Sequence, residues 1–194
     1  QYLERSDSAV VNAIPTFITL AEFEIAEQIK TLGQMQVVES TMLTGDAILQ
    51  KPARWRKTVS MSVTVGGKKQ PVLLRKYEYL KNYWPDNTQT DVPLFYADTD
   101  WEHWYLAPTP DQDYQFEVLY YERIAPLSST NQTNWITQNA PNAMLFGTLL
   151  QAMPFLKNDE RMPMWQQNYD QIIQTLKAED VQRIGDRQAA VLDT

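Results

Sequence analysis

The sequence predicts an α+β fold in which helical segments at both ends of the chain flank a β-rich middle. Apolar residues recur every three to four positions over residues 14–32 and again after residue 141. Between residues 36 and 123 the period changes to two, and Gly, Pro, Asn and Asp clusters mark turns between the alternating stretches.

The first helix rests on Ile14, Ile18, Ala21, Ile25, Ile29 and Leu32, with Glu22, Glu27, Gln28 and Lys30 directed elsewhere. Pro15 suits a first turn, where an N–H has no intrahelical partner, and Gly33 suits the left-handed residue after a last turn. Residues 6–13 read as a separate helical turn capped by Ser6 or Asp7, the chain bending at Pro15.

In the middle, Val59, Met61, Val63 and Val65 alternate with Thr58, Ser60, Ser62 and Thr64 before Gly66-Gly67, as a strand entering a hairpin does. Further strands are expected at residues 37–44, 71–75, 94–97, 101–107 and 114–122, with a short helix over 76–83. After Pro126 a polar run supplies N-caps ahead of Trp135 and Ile136, and Pro141 opens the next helix. Met144, Leu145, Leu149, Leu150, Met153 and Leu156 leave it almost no polar face, so residues 141–156 should form a buried central helix. Gly147 would admit a close neighbour, and Pro154 would kink or end the helix. Asn158 or Asp159 should cap the last long helix, whose stripe is Met162, Trp165, Tyr169, Ile172 and Leu176, packed antiparallel to the central one. The segment from Lys177 to Thr194 has only Val181, Ile184 and Val191 as a weak apolar stripe, expected to be a frayed surface helix or to extend away and dock on another subunit.

With 24 acidic and 17 basic residues the chain carries a formal charge of −7. That balance argues against salt-driven binding to nucleic acid or anionic lipid, which needs Lys and Arg on phosphates. No run of consecutive apolar residues approaches a bilayer span, so a soluble chain without a membrane partner is expected. Residues are expected to precede Gln1, since no initiator Met is present.

The chain has no Cys and a single His, which removes thiolate chemistry and multi-histidine metal sites. His103, on a strand, would share a face with Trp101 while Trp104 takes the other. Asp98, Asp100 and Glu102 alternate along one segment, which does not provide the two opposed carboxyls of a glycosidase. Asp111 and Asp113 lack the glycine and terminal Glu of a calcium loop. Lys51, Arg54, Arg56 and Lys57 surround Trp55, a pattern found in single-strand binders and equally in protein contact surfaces. No catalytic residue, metal site or cofactor is expected.

Three blocks resemble the phage head-to-tail adaptor family, which includes tail tubular protein A and related portal adaptors. They are Ile14-Pro15-Thr16-Phe17-Ile18-Thr19-Leu20-Ala21-Glu22; Tyr120-Tyr121 with Pro126-Leu127-Ser128, Asn134-Trp135 and Pro141; and Leu145-Phe146-Gly147 continuing through Ala152, Phe155-Leu156, Asp159, Arg161, Trp165 and Tyr169. The resemblance implies an antiparallel helical bundle built from residues 1–35 and 126–177, an inserted antiparallel β-rich unit over 36–125 and a C-terminal extension over 178–194. It implies a structural virion protein, assembled in the bacterial cytoplasm as a dodecameric ring, joining the portal protein to a tail nozzle or tail-tube protein. DNA would pass through the channel without specific binding. Carried over, the portal contact falls on Glu179, Asp180, Val181, Arg183, Ile184, Arg187, Val191 and Leu192. The tail or neighbouring-subunit contact falls on Gly66, Gly67, Lys68, Lys69, Trp84, Asp86 and Asn87. A sugar-binding or glycan-hydrolysing tail protein is the alternative function.

Overall fold

The computed structural model describes residues 8–29, 34–156 and 160–192, and of residue 156 and residues 183–192 the backbone only. In chain order the elements are α1 (Ser8–Gln28), β1 (Met35–Met42), β2 (Ile48–Gln50), β3 (Trp55–Val65), β4 (Lys68–Leu74), α2 (Tyr77–Tyr83), β5 (Phe95–Asp98), β6 (His103–Ala107), β7 (Tyr114–Glu122), α3 (Trp135–Asn139), α4 (Pro141–Gln151), α5 (Met153–Leu156) and α6 (Met162–Leu192). The class is α+β. The chain divides into two compact units, one formed by Gln1–Gln34 with Ile124–Thr194 and the other by Met35–Arg123.

In the helical unit α4 contacts both α1 and α6. Ala21, Ile25 and Ile29 meet Ile136, Ala143 and Met144, with Tyr169 and Ile173 completing one apolar cluster. The contact is tightest at Gly147, where an added Cβ would lie 3.3 Å from both Ala21 Cβ and Tyr169 Cε2. A small residue there lets α1 and α6 approach the same turn of α4, as the sequence suggested.

Two boundaries differ from expectation, and a third falls at the expected proline. α1 is one helix running through Pro15, rather than two pieces bent there. The proline removes a single main-chain bond, and buried Val10 and Phe17 pack on either side of it, so tertiary contacts hold both flanks helical. α4 stops at Gln151 and α5 follows as a separate turn, in keeping with the kink or end expected at Pro154, whose ring conflicts with the Leu150 carbonyl. α6 continues unbroken to Leu192, well past the apolar stripe that ends near Leu176. The proposed caps Ser6, Asp7, Asn158 and Asp159, and Gly33, lie outside the described residues.

By length and composition α1 would be able to cross a membrane, which the search for uninterrupted apolar runs overlooked. In the fold one of its faces is core, and that face carries Glu22, a buried carboxylate. Glu22 accepts the Leu127 N–H at 3.1 and 3.2 Å and the Asn134 Nδ2–H at 2.6 Å. Asn134 in turn caps α3: its Oδ1 accepts the Thr137 N–H at 3.1 Å, and Thr137 Oγ1 accepts the Asn134 N–H at 2.9 Å. Burial raises the Glu22 carboxyl above the ordinary carboxylate range, opposed by the bonds from Leu127 and Asn134.

The other unit is a seven-stranded sheet in the order β1-β7-β3-β4-β5-β6-β2. It is mixed rather than wholly antiparallel: Leu73 and Leu74 of β4 pair in parallel with Phe95 and Tyr96 of β5. The segment between them includes α2, and such a crossover brings the chain back in the same direction. Met61, Val63, Val72, Trp104, Phe116 and Val118 form the centre of its apolar core. β2 was not foreseen, since three residues are too few to show alternation; it exists by pairing with β6.

Two outcomes test this packing. Gly147→Val should lower stability by about 1–3 kcal/mol in chemical denaturation, because Ala21 and Tyr169 must move. Glu22→Leu should cost roughly 1–3 kcal/mol by stranding the Leu127 and Asn134 donors, whereas Glu22→Gln retains an acceptor for them. Because the folded state raises the Glu22 pKa, it binds the proton more tightly than the unfolded chain. The wild type should therefore gain on Glu22→Gln as pH falls from neutrality through that raised pKa, and the gain should level off below the unfolded value.

Candidate protein-contact surfaces

The β3–β4 hairpin turns at Gly66 and Gly67, whose φ values of 56° and 78° need residues without a Cβ penalty. Beyond the adjoining residues, no described atom lies within 4 Å of where their Cβ atoms would stand, so the tip is open. Lys68 is exposed there. Lys69 instead reaches across the sheet to the Glu117 carboxylate and lies 3.9 Å from Glu39. That bond holds the Glu117 carboxyl below its usual range and raises the Lys69 ammonium.

Trp84, Asp86 and Asn87 follow α2, and each has a structural task. Trp84 donates its main-chain N–H to Leu80 O, closing the helix, and its ring packs 5.7 Å from Phe95. Asp86 accepts Thr88 N–H at 3.0 Å and the Thr88 hydroxyl at 2.5 Å, folding the turn on itself. Asn87 Oδ1 accepts from the Tyr105 hydroxyl at 3.0 Å, and the Tyr105 hydroxyl oxygen accepts from Lys81 Nζ at 3.0 Å.

What this arrangement leaves outward is an aromatic face that the sequence reading missed. Tyr83, 61% exposed, stacks 4.7 Å from Tyr79, which meets Phe95 at 6.3 Å. Exposed Leu73 is the register partner of Phe95, and the Arg75 guanidinium lies 5.4 Å above the Phe95 ring. Aromatic residues and Arg around an apolar centre are the composition of protein contact sites. The signal was present as Tyr77, Tyr79, Tyr83 and Trp84, but it reads as helix packing until α2 is seen to pack on β5 through Leu80 with Tyr77, Tyr79 and Tyr83 left exposed.

The charged constellations weighed in the sequence are committed to the fold. Lys51, with its side chain 2% exposed, bonds Asp98 Oδ1 at 3.0 Å and Asp100 O at 2.6 Å, and stands 3.9 Å over the Trp55 ring. Arg54 Nη2 donates to Glu122 Oε1 at 2.7 Å. Lys51 and Arg54, two of the cations around Trp55, thus have acidic partners within the unit. Asp100 accepts N–H bonds from Glu102 and His103 at 2.7 and 2.8 Å and lies 3.1 Å from the His103 ring nitrogen Nδ1. Asp111 accepts the Tyr114 hydroxyl, and Asp113 accepts both Thr44 donors. Among the described residues no group of three or more His, Asp and Glu could hold a metal ion.

At the other end of the chain, Glu179 and Val181 are exposed on α6 while Asp180 is buried. Arg183, Ile184, Arg187, Val191 and Leu192 belong to the same helix, and their side chains lie outside the described residues. Of the two readings of this segment, a surface helix or an extension docked elsewhere, the backbone is helical through Leu192 as part of α6.

Asp100 gives a pH test. The bond from the Glu102 main chain and the His103 contact hold its carboxyl below the usual range. The unfolded chain therefore binds its proton more readily, and Asp100 stabilises the fold above the unfolded carboxylate pKa. Asp100→Ala should be less stable than wild type at neutral pH, and the difference should disappear as pH falls through the lowered Asp100 pKa, followed by urea denaturation.

No curated protein matches the chain. The model of the SU10 adaptor protein family matches residues 1–191, spanning both units. The chain therefore belongs to the SU10 adaptor protein family, a family of phage head-to-tail adaptors.

Proposed function

We propose that this structural phage adaptor is a subunit of a dodecameric ring between the portal protein and a tail nozzle or tail-tube protein. The observation that carries the reading is the family match over residues 1–191, which takes in the helical unit and the β-rich unit together. In this reading the helices of residues 1–35 and 126–177 form an antiparallel bundle. Residues from Glu179 onward grip the portal, and the hairpin tip at Gly66, Gly67 and Lys68 with the Tyr79–Tyr83 face meets the tail component or a neighbouring subunit. The protein acts in the neck of the virion after assembly in the bacterial cytoplasm.

Its chemistry favours passage over adhesion. A chain of formal charge −7 repels phosphate, so DNA moves along a channel of such subunits without the salt-sensitive attachment of a basic lining. We read the protein as non-catalytic: Asp98, Asp100 and Glu102, the acids considered for glycan hydrolysis, cluster around one turn, where Lys51 pairs with Asp98 and Asp100 closes the turn.

The mass of the purified protein, alone and mixed with portal protein, tests the proposal. The wild type should form a ring-sized complex with portal, and deletion of residues 179–194 should abolish it. Tyr83→Glu should leave portal binding intact while weakening tail or lateral association by at least about tenfold, equivalent to about 1.4 kcal/mol. Portal binding that survives the deletion overturns the grip.

A further inference from the structure

β1 and β2 are the two edges of the seven-stranded order: among the described residues β1 pairs only with β7, and β2 only with β6. They are consecutive in the chain, separated by residues 43–47, yet among the described residues no ladder joins them. The direction of the free groups on β2 follows from two bonds. Lys51 N–H donates to Glu102 O at 2.7 Å, and Leu106 N–H donates to Ala47 O at 2.8 Å. In an antiparallel ladder bracketed this way, Leu49 faces β6, and Ile48 and Gln50 turn their N–H and C=O groups to the opposite edge. Asp46 Oδ1 accepts the Ile48 N–H at 2.8 Å. Among the described residues, the Ile48 carbonyl and both main-chain groups of Gln50 have no strand beside them.

Between these edges lies an opening of about 570 Å³, bordered by Val38 and Ser40 of β1 and by Leu49 and Gln50 of β2, with Trp104 and Phe116 behind them. Trp104 is fully buried.

We infer that the opening receives an extended segment of another protein, which pairs as an added strand along the free edges of β1 and β2. Main-chain donors and acceptors in a row recognise another strand rather than a helix or a sugar. Val38 and Leu49 border the opening with apolar side chains, so the segment carries apolar residues at alternate positions. Asp46 at the border and the acidic balance of the chain favour a Lys or Arg beside them. The site lies apart from the Tyr79–Tyr83 face and goes beyond the adaptor reading, which does not require it.

The test selects random peptides of about ten residues, a long strand's length, against the intact chain. Binding of the selected peptides is then measured by fluorescence anisotropy, with amide hydrogen exchange. Gln50→Pro removes an N–H that the β6 ladder does not use, and Val38→Trp fills the opening; each variant tests the site independently, and Lys68→Ala at the hairpin tip is the control. Selected peptides should alternate apolar residues, carry a basic residue and protect the Gln50 amide. They should also lose at least about tenfold in affinity on both variants and none on the control. If one variant fails to fold, the other and the exchange pattern decide. Failure to select any peptide, unchanged binding by the folded variants, or protection confined to other elements overturns the inference. Concentration-dependent self-association removed by Gln50→Pro would assign the edges to a second copy of the chain and also overturn it.

Discussion

The helical unit must be closed across an insertion: the chain leaves it at Gln34 and returns at Ile124. Closing so long a loop has an entropic cost, and contacts between its two ends must offset it. The Glu22 carboxylate is one such contact, binding Leu127 and Asn134 from the returning segment and so fixing where α3 begins. The Gly147 contact is the other, because α1 and α6, from opposite ends of the chain, meet the same turn of α4. A buried carboxylate with its donors satisfied and a glycine with no room for a side chain specify one arrangement among many that an apolar stripe alone would permit.

In the β-rich unit, polar chemistry is directed inward to turns and ladders while aromatic surface is left outward. Asp46, Asp86, Asp100 and Asp113 each accept main-chain N–H groups of nearby turns, and Lys51 is enclosed between Asp98 and Trp55. Carboxylates engaged in this way are local architecture. Tyr83, Leu73 and Trp101, by contrast, are exposed large side chains on a unit with an ample core of its own. Such surface fits a protein whose role is contact with other proteins, in keeping with the adaptor family to which the chain belongs.

The parts legible in the sequence are those that depend on local periodicity. The amphipathic pattern around Ile18 and Ile25, the alternation from Thr58 to Val65 and the glycine pair after it each find their element, because side-chain period follows directly from backbone geometry. The misplaced boundaries arose where a local rule met a tertiary one. Pro15 is a helix breaker in isolation, but packing on both sides overrides it; Leu176 ends an apolar stripe, but not the helix that bears it.

By itself the sequence determined the class of the fold, the order of its helical and β-rich parts, the exclusion of thiolate and multi-histidine chemistry and the family resemblance, since all of these reside in composition, period and residue order. Tertiary structure alone decided that β4 and β5 run parallel and that β1 and β2 remain unpaired edges. It also decided which rings of α2 remain uncovered and which charges are already partnered. Those properties depend on which distant segments become neighbours, and a one-dimensional pattern of apolar and polar residues carries little information about strand order or about the partner that each side chain will meet.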